Sequence, residues 1–233
     1  WSWSVARLGR PFRFAVASLQ CHLGLPVNAL ATPAFLLAIQ PHDTKVPRPP
    51  FLGERVFTHG PRKPVYLAWH CTEDHLTGPQ LYRFFRGTPD QLGVMSNVQP
   101  DGAIYDACGL TDETFHVLAY NHLAAGVEVT GHDGENWPPA QMEALAWWTA
   151  YHAQQGGIPL RFAGNDRRVT PLPSGIMQHR WFPQNDHSDL GPTPPFPKDD
   201  VLHQAIAWTK AGGPPADVAL RISNAVHRAP TTA

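Results

Sequence analysis

Residues 64–70, PVYLAWH, form an unbroken apolar run that closes on a histidine. A run this short and apolar suits a central strand buried on both faces of a sheet. His70 then stands at the carboxyl end of that strand, where open α/β sheets present their ligands. The polar residues that follow, Cys71 to Asp74, suit the wall of a cleft. Cys71 would point to the face opposite His70 and reads as a core residue rather than a ligand. The plain alternative for His70 is a strand-end imidazole that is only hydrogen-bonded.

Downstream, GPQLYRFFRG (78–87) sets Leu81, Phe84 and Phe85 at helical spacing. The segment 92–108 carries a Pro-Asp-Gly turn between two strand-like runs, a hairpin signal. AAGVEVTG (124–131) is a further strand, and Glu128 is the one charged residue inside it. A buried, unpaired carboxylate is costly, so Glu128 has either a task or a cationic partner, unless this strand has a solvated face. The clearest helix spans 136–157, with Pro138 and Pro139 at its first turn, Gly156-Gly157 at its end, and Met142, Leu145, Ala146 and Thr149 as its buried stripe. IPLRFAG (158–164) reads as another short strand, and 199–213 as a helix closed by Gly-Gly. After Pro214-Pro215 comes an amphipathic piece, DVALRISNAVHR. Strands interleaved with helices, plus one hairpin, predict an α/β domain with a central mixed β-sheet flanked by helices.

Upstream, residues 46–63 are rich in proline and basic side chains and read as an extended lead-in. Residues 1–45 carry no clear period, although 23–40 would accommodate one short helix. The chain starts on Trp1 rather than Met, so it reads as processed, trimmed or a fragment. Arg7, Arg10 and Arg13 before an apolar run resemble a secretory leader only faintly, because that run breaks after Leu19. The organisation expected is therefore an N-terminal segment (1–45), a lead-in (46–63), one main domain (64–213) and a tail (214–233).

Composition narrows the function classes. The chain has 233 residues, 42% of them hydrophobic and 16% charged, which allows one sizeable core. A formal net charge of −1 leaves no electrostatic footprint for nucleic acid or an anionic membrane. No apolar run is long enough to span a bilayer. Three cysteines, Cys21, Cys71 and Cys108, are too few and too odd for a disulfide scaffold.

The chemistry concentrates in 179–197, HRWFPQNDHSDLGPTPPFP. Repeated proline excludes helix and strand interiors, so this is a loop of fixed shape that carries His179, His187 and Asp189. Two imidazoles and a carboxylate are the ligand set of many catalytic zinc sites. A polar surface loop in a chain with 13 histidines is the blander reading.

Five motifs, in order, add a family resemblance: WHCTE (69–73), QPDGAIYD (99–106), YNHLAAGVEVTG (120–131), PPAQMEALAWW (138–148) and QHRWF with HSDLGPTPPFP (178–197). Together they resemble the type 2 N-acetylmuramoyl-L-alanine amidases, the zinc amidase fold shared with peptidoglycan-recognition proteins. Within that family the likeness is to amidase domains of lysins from phages of actinobacteria, and it covers residues 61 to about 211.

The resemblance implies Zn2+ held by His70, His179 and Asp189, with His187 as transition-state stabiliser and Glu128 as catalytic carboxylate. A competing register takes His187 itself as third ligand. His116 and Asn121 match positions lining the family's substrate cleft, as contacts or as structural hydrogen bonders. The tyrosine that another branch carries on its first hairpin strand is absent here, so a substrate contact from Val94 or Met95 does not carry over. The implied activity is hydrolysis of the amide between N-acetylmuramic acid and L-alanine in bacterial peptidoglycan. It implies a monomer that acts on the cell wall; a phage lysin would be made in the host cytoplasm and released without its own signal peptide. The alternatives are a non-catalytic peptidoglycan-binding module of the same fold and a zinc peptidase cutting the stem peptide. The usual His-Glu-x-x-His pattern of the latter is absent.

Overall fold

The structure, a computed structural model, describes residues 45–53, 58–164, 173–183, 187–191 and 195–228. The leader-like stretch, Cys21 and the short helix expected within 23–40 lie outside the described residues.

Six strands make one mixed sheet: β1 (Leu52–Gly53), β2 (Tyr66–Cys71), β3 (Ser96–Val98), β4 (Ile104–Asp106), β5 (Ala124–Val129) and β6 (Gly175–Gln178), in the order β1-β4-β3-β5-β2-β6. The run that opens at Pro64 becomes β2, buried along its whole length. It lies between β5 and β6 and runs parallel to both. β3 is parallel to β5 and antiparallel to β4. The β3–β4 hairpin closes as its sequence predicts: Gly102 takes φ 89°, and its N–H donates to Gln99 O. That conformation is open to glycine at no steric cost.

Among the described residues, four α-helices flank the sheet: α1 (Gly78–Gly87), α2 (Pro139–Gly156), α3 (Lys198–Ala211) and α4 (Ala216–Arg228). α2 begins at the two prolines and ends with Gly157 at φ 61°, the left-handed cap that glycine favours. Its expected stripe is buried, and so are Ala144, Trp148, Ala150 and Ala153. The reason is its position, since the helix packs against β2 and β3 as well as α3 and α4. A helix covered on several sides is apolar on several sides. Its contacts with the sheet also satisfy buried donors. Trp69 Nε1–H donates to Thr149 Oγ1, Trp148 Nε1–H to Ser96 Oγ, and Gln141 Nε2 to Val98 O and Thr130 O. The amphipathic piece after Pro214-Pro215 is α4, which buries Val218, Ile222, Ala225 and Val226.

Three local expectations change. In α1, Leu81, Tyr82 and Phe85 are buried, whereas Phe84 is 58% exposed. At about 100° per residue, position 84 falls off the stripe that 81, 82 and 85 define. Residues 158–164 do not form a strand; Phe162 alone makes a parallel bridge to Ile176. The edge of the sheet there is β6, whose four residues are too few to show a period in the sequence.

His152 gives a test of the core. It is buried against Trp148, with ring centroids 4.8 Å apart, and its Nδ1 has no hydrogen-bond partner among the described residues. Burial, with the charges of Arg48 and Arg62 behind it, pushes its pKa down to about 3. The unfolded chain therefore binds this proton first as pH falls below about 6.5, so stability is lost on the acid side. At pH 5.5 the loss from this group is about 1 kcal/mol relative to pH 8. Urea midpoints of the wild type and His152→Phe at the two pH values check it. The variant should lose correspondingly less stability on acidification; an identical loss in both proteins contradicts it.

Candidate functional site

Three neighbouring parallel strands, β5, β2 and β6, end on the same edge of the sheet. His70 pairs in register with Glu128, and Trp69 with Gln178, the residue before His179. Leu67, Trp69 and Cys71 of β2 and Ala125, Val127 and Val129 of β5 belong to the main core cluster under the helices. By alternation, His70 and Glu128 point to the other face, side by side. His179 opens a short 3-10 turn (His179–Trp181) at the end of β6, anchored by buried Trp181 and Phe182.

The late loop returns to this edge. Asp189 is 4% exposed, and Leu190 beside it is fully buried. The next amide, Gly191 N–H, donates to Asp133 Oδ1 at 2.6 Å. A Cβ at Gly191 would stand 2.5 Å from Asp133 Oδ2, so glycine lets the loop close onto that carboxylate. Asp133 is thus the strap that seats Asp189, a role the sequence alone does not show.

His70, His179 and Asp189 meet there, all buried, each offering one ligand atom within 4.8 Å of the others. His179 Nδ1 lies 2.9 Å from Asp189 Oδ2, and His70 Nδ1 3.6 Å from the same oxygen. His187 is more exposed and sits at the margin. Its ring stacks on His179 with centroids 4.4 Å apart, and its Nδ1 is 3.9 Å from Asp189 Oδ1.

A hydrogen-bond relay fixes the tautomer of His70. His116 Nε2 faces the Ala124 carbonyl at 3.1 Å, a contact that only an N–H can make. Burial, with His70 and Arg62 nearby, holds the His116 pKa well below the usual histidine value, so this imidazole is neutral and its Nδ1 accepts. Its partner at 2.9 Å is His70 Nε2, which must therefore donate. His70 Nδ1 is left with a lone pair turned towards Asp189. Such outer hydrogen bonds commonly orient metal-binding histidines.

The relay has its own supports. Asn121 Oδ1 accepts the backbone N–H groups of His116 and Val117. A Cβ at position 126 would stand 2.6 Å from His116 Nδ1, so Gly126 makes the room for that ring. Arg62, 5% exposed, donates to the carbonyls of Leu110 and Ala124. His116 and Asn121 thus border the cleft and also brace His70, while Arg62 and Gly126 were not legible as contributors.

Electrostatics separates the two acids. Burial opposes the Asp189 charge, yet the hydrogen bond with His179 Nδ1, 2.9 Å from Oδ2, outweighs it and holds this carboxyl well below the usual range. Glu128 has no such partner. Burial, then the charges of Asp189 and Glu73, pushes its carboxyl well above the usual range. Two carboxylate oxygens at this edge, Asp189 Oδ1 and Glu128 Oε2, are buried without a hydrogen-bond partner among the described residues. Buried carboxyl oxygens without a hydrogen-bond partner beside converging imidazoles fit a divalent cation, and two histidines with one aspartate are a suitable donor set.

The centre lies in a cleft of about 820 Å³. Glu73, Asp90, His116 and Asn121 border it, along with apolar side chains that include Phe84, Phe115 and Leu118. Val94 also borders the cleft, whereas Met95 is fully buried.

Comparison with known proteins identifies the family and the fold. Residues 60–192 match the family described as N-acetylmuramoyl-L-alanine amidase. No curated protein matches the chain in sequence. Among solved structures, it is similar to the N-acetylmuramoyl-L-alanine amidase LysC from Clostridium intestinale URNW, with TM-score 0.51 and 19% identity over 67% of this chain and 97% of that one. It is also similar to the endolysin amidase LysCS from the same organism, with TM-score 0.52 and 19% identity over 68% and 97%. Staphylococcus aureus AmiA gives TM-score 0.52 and 14% identity over 88% and 92%. At these identities the likeness is one of fold.

Proposed function

Because the chain belongs to the N-acetylmuramoyl-L-alanine amidase family, we propose that it hydrolyses the amide between N-acetylmuramic acid and L-alanine in bacterial peptidoglycan, as a phage lysin, with a zinc ion held by His70, His179 and Asp189. One observation carries the reading. A buried His-His-Asp group shares its strand edge with Glu128, a carboxyl whose buried oxygen has no partner among the described residues. A binding module has no need of that costly acid beside a metal-type donor set, whereas a hydrolase does.

Zinc bound there supplies a Lewis acid that polarises the scissile carbonyl and lowers the pKa of water to about 7. The chain's own residues do the rest. His116 holds His70 in the tautomer whose Nδ1 is free to ligate. Asp133 seats the Asp189 loop through Gly191. Glu128, with its raised pKa, takes the proton of the attacking water on Oε2 and returns it to the departing L-alanine nitrogen. His187, at the margin of the centre, donates a hydrogen bond to the developing oxyanion. Loss of one such donor typically costs about 3 kcal/mol of barrier.

Digestion of purified peptidoglycan followed by analysis of the soluble products tests the reaction. The expected result is new L-alanine amino termini and free lactyl carboxyls on the glycan. Amino termini at other residues would indicate a stem-peptide peptidase, and no new termini a binding module; either outcome overturns the proposal.

A further inference from the structure

Next to the cleft lies a second group of metal-type donors that the proposed chemistry does not use: His75, His132 and Glu135. We propose that these three side chains form an outer site for a borderline transition-metal dication such as Zn2+ or Ni2+, which clamps together the loops that follow β2 and β5.

The donors are already gathered. One ligand atom from each lies within 4.8 Å of the others. His75 Nε2 is 3.1 Å from Glu135 Oε1, and the His75 and His132 rings meet edge to face at 5.1 Å. Glu135 is held from a second side, since the His132 backbone N–H donates to its Oε2. Glu73 adds a fourth donor, with its Oε2 3.6 Å from His132 Nδ1.

The backbone beneath is tied, so binding would order little that is not already ordered. Asp74 and Gly131 form an antiparallel bridge between the two loops, and the Gly131 N–H is shared between Asp74 O and Thr72 Oγ1. Preorganisation of this kind lowers the entropic cost of ligation. Two imidazoles with a carboxylate select zinc, nickel or copper over calcium or magnesium, which prefer all-oxygen shells. The donors are exposed or half-exposed, so water can complete the coordination.

The neighbouring Cys71, Glu73 and Asp133 are also close together, but they form a closed hydrogen-bonded set. The Cys71 thiol donates to Glu73 Oε1, burial pushes its pKa far up, and Asp133 is engaged by Gly191.

The outer site does not depend on the inner centre, and the experiment separates them. Chelator-stripped full-length chain is dialysed to equilibrium against Zn2+, and bound metal is counted for the wild type, His70→Ala, His75→Ala and His132→Ala. The expected counts are two ions for the wild type and one for each variant. Heating curves should show a further rise in Tm between the first and second equivalents, absent in His75→Ala and His132→Ala. If the wild type saturates at one ion that His70→Ala loses, the outer site is overturned and the inner centre stands. If that single ion is lost in His75→Ala instead, the outer site stands and the inner assignment falls. A second ion retained in both His75→Ala and His132→Ala places it elsewhere and also overturns the proposal.

Discussion

Asp189→Ala is expected to strip the inner centre of its metal and take turnover below detection, while leaving the chain folded. The carboxylate is the only anion within reach of both His70 Nδ1 and His179 Nδ1 among the described residues. Without it two neutral imidazoles remain, too few to retain zinc against dilution, since structural affinity grows with each deprotonated ligand. His187→Ala should behave in the opposite way. Its ring stacks on His179 at the rim instead of closing the donor set, so metal is kept and the rate falls by about 10²–10³, the size of one oxyanion donor. Elemental analysis and a turbidity assay on the same two preparations decide between the registers. Metal lost with His187 and kept without Asp189 would make His187 the third ligand.

Glu128→Gln is the second large effect. Glutamine keeps the volume and the strand but cannot take a proton, so turnover should fall about a hundredfold or more, with metal content unchanged. Stability should stay level or rise slightly, because the change removes an ionisable group from a buried position. The shift in Glu128 also sets a sign. A carboxyl whose folded pKa is raised destabilises the fold as pH climbs past its unfolded value, since the unfolded chain ionises first. In metal-free protein the variant should therefore gain on the wild type as pH rises from 5 to 8. Peptidoglycan turnover and melting curves, measured together, test both. Unchanged turnover would make Glu128 an inert strand residue and move the search for the base to His187 or Glu73.

Much of this was legible because two signals are local. The apolar run ending at His70 and the charged residue inside AAGVEVTG each announce a strand with a chemical end, and the pairing His70↔Glu128 joins them in register. The hairpin turn and the α2 caps are equally local, written in Pro-Asp-Gly and in Pro-Pro and Gly-Gly. What stayed hidden is non-local. Nothing near Asp133 says that its carboxylate will meet Gly191, and nothing near Arg62 says that its guanidinium will bind the Ala124 carbonyl under His116. β6 escaped because four residues cannot establish a period, and 158–164 misled because an apolar stretch beside a sheet need not join it. Phe84 misled in a related way: helical spacing was present, but the stripe was centred elsewhere.

The strand order has a consequence for synthesis. β2 emerges from the ribosome early, yet its neighbour β6 and the loop carrying Asp189 come only after α2 has been made. Until they arrive, His70 is a strand-end imidazole with no companions in the donor set. A nascent chain, or a fragment cut before Gly175, therefore cannot assemble the inner centre however well its first strands pair. The three donors meet only once the last parallel strand lies on the edge of β2 and the Asp189 loop has followed it.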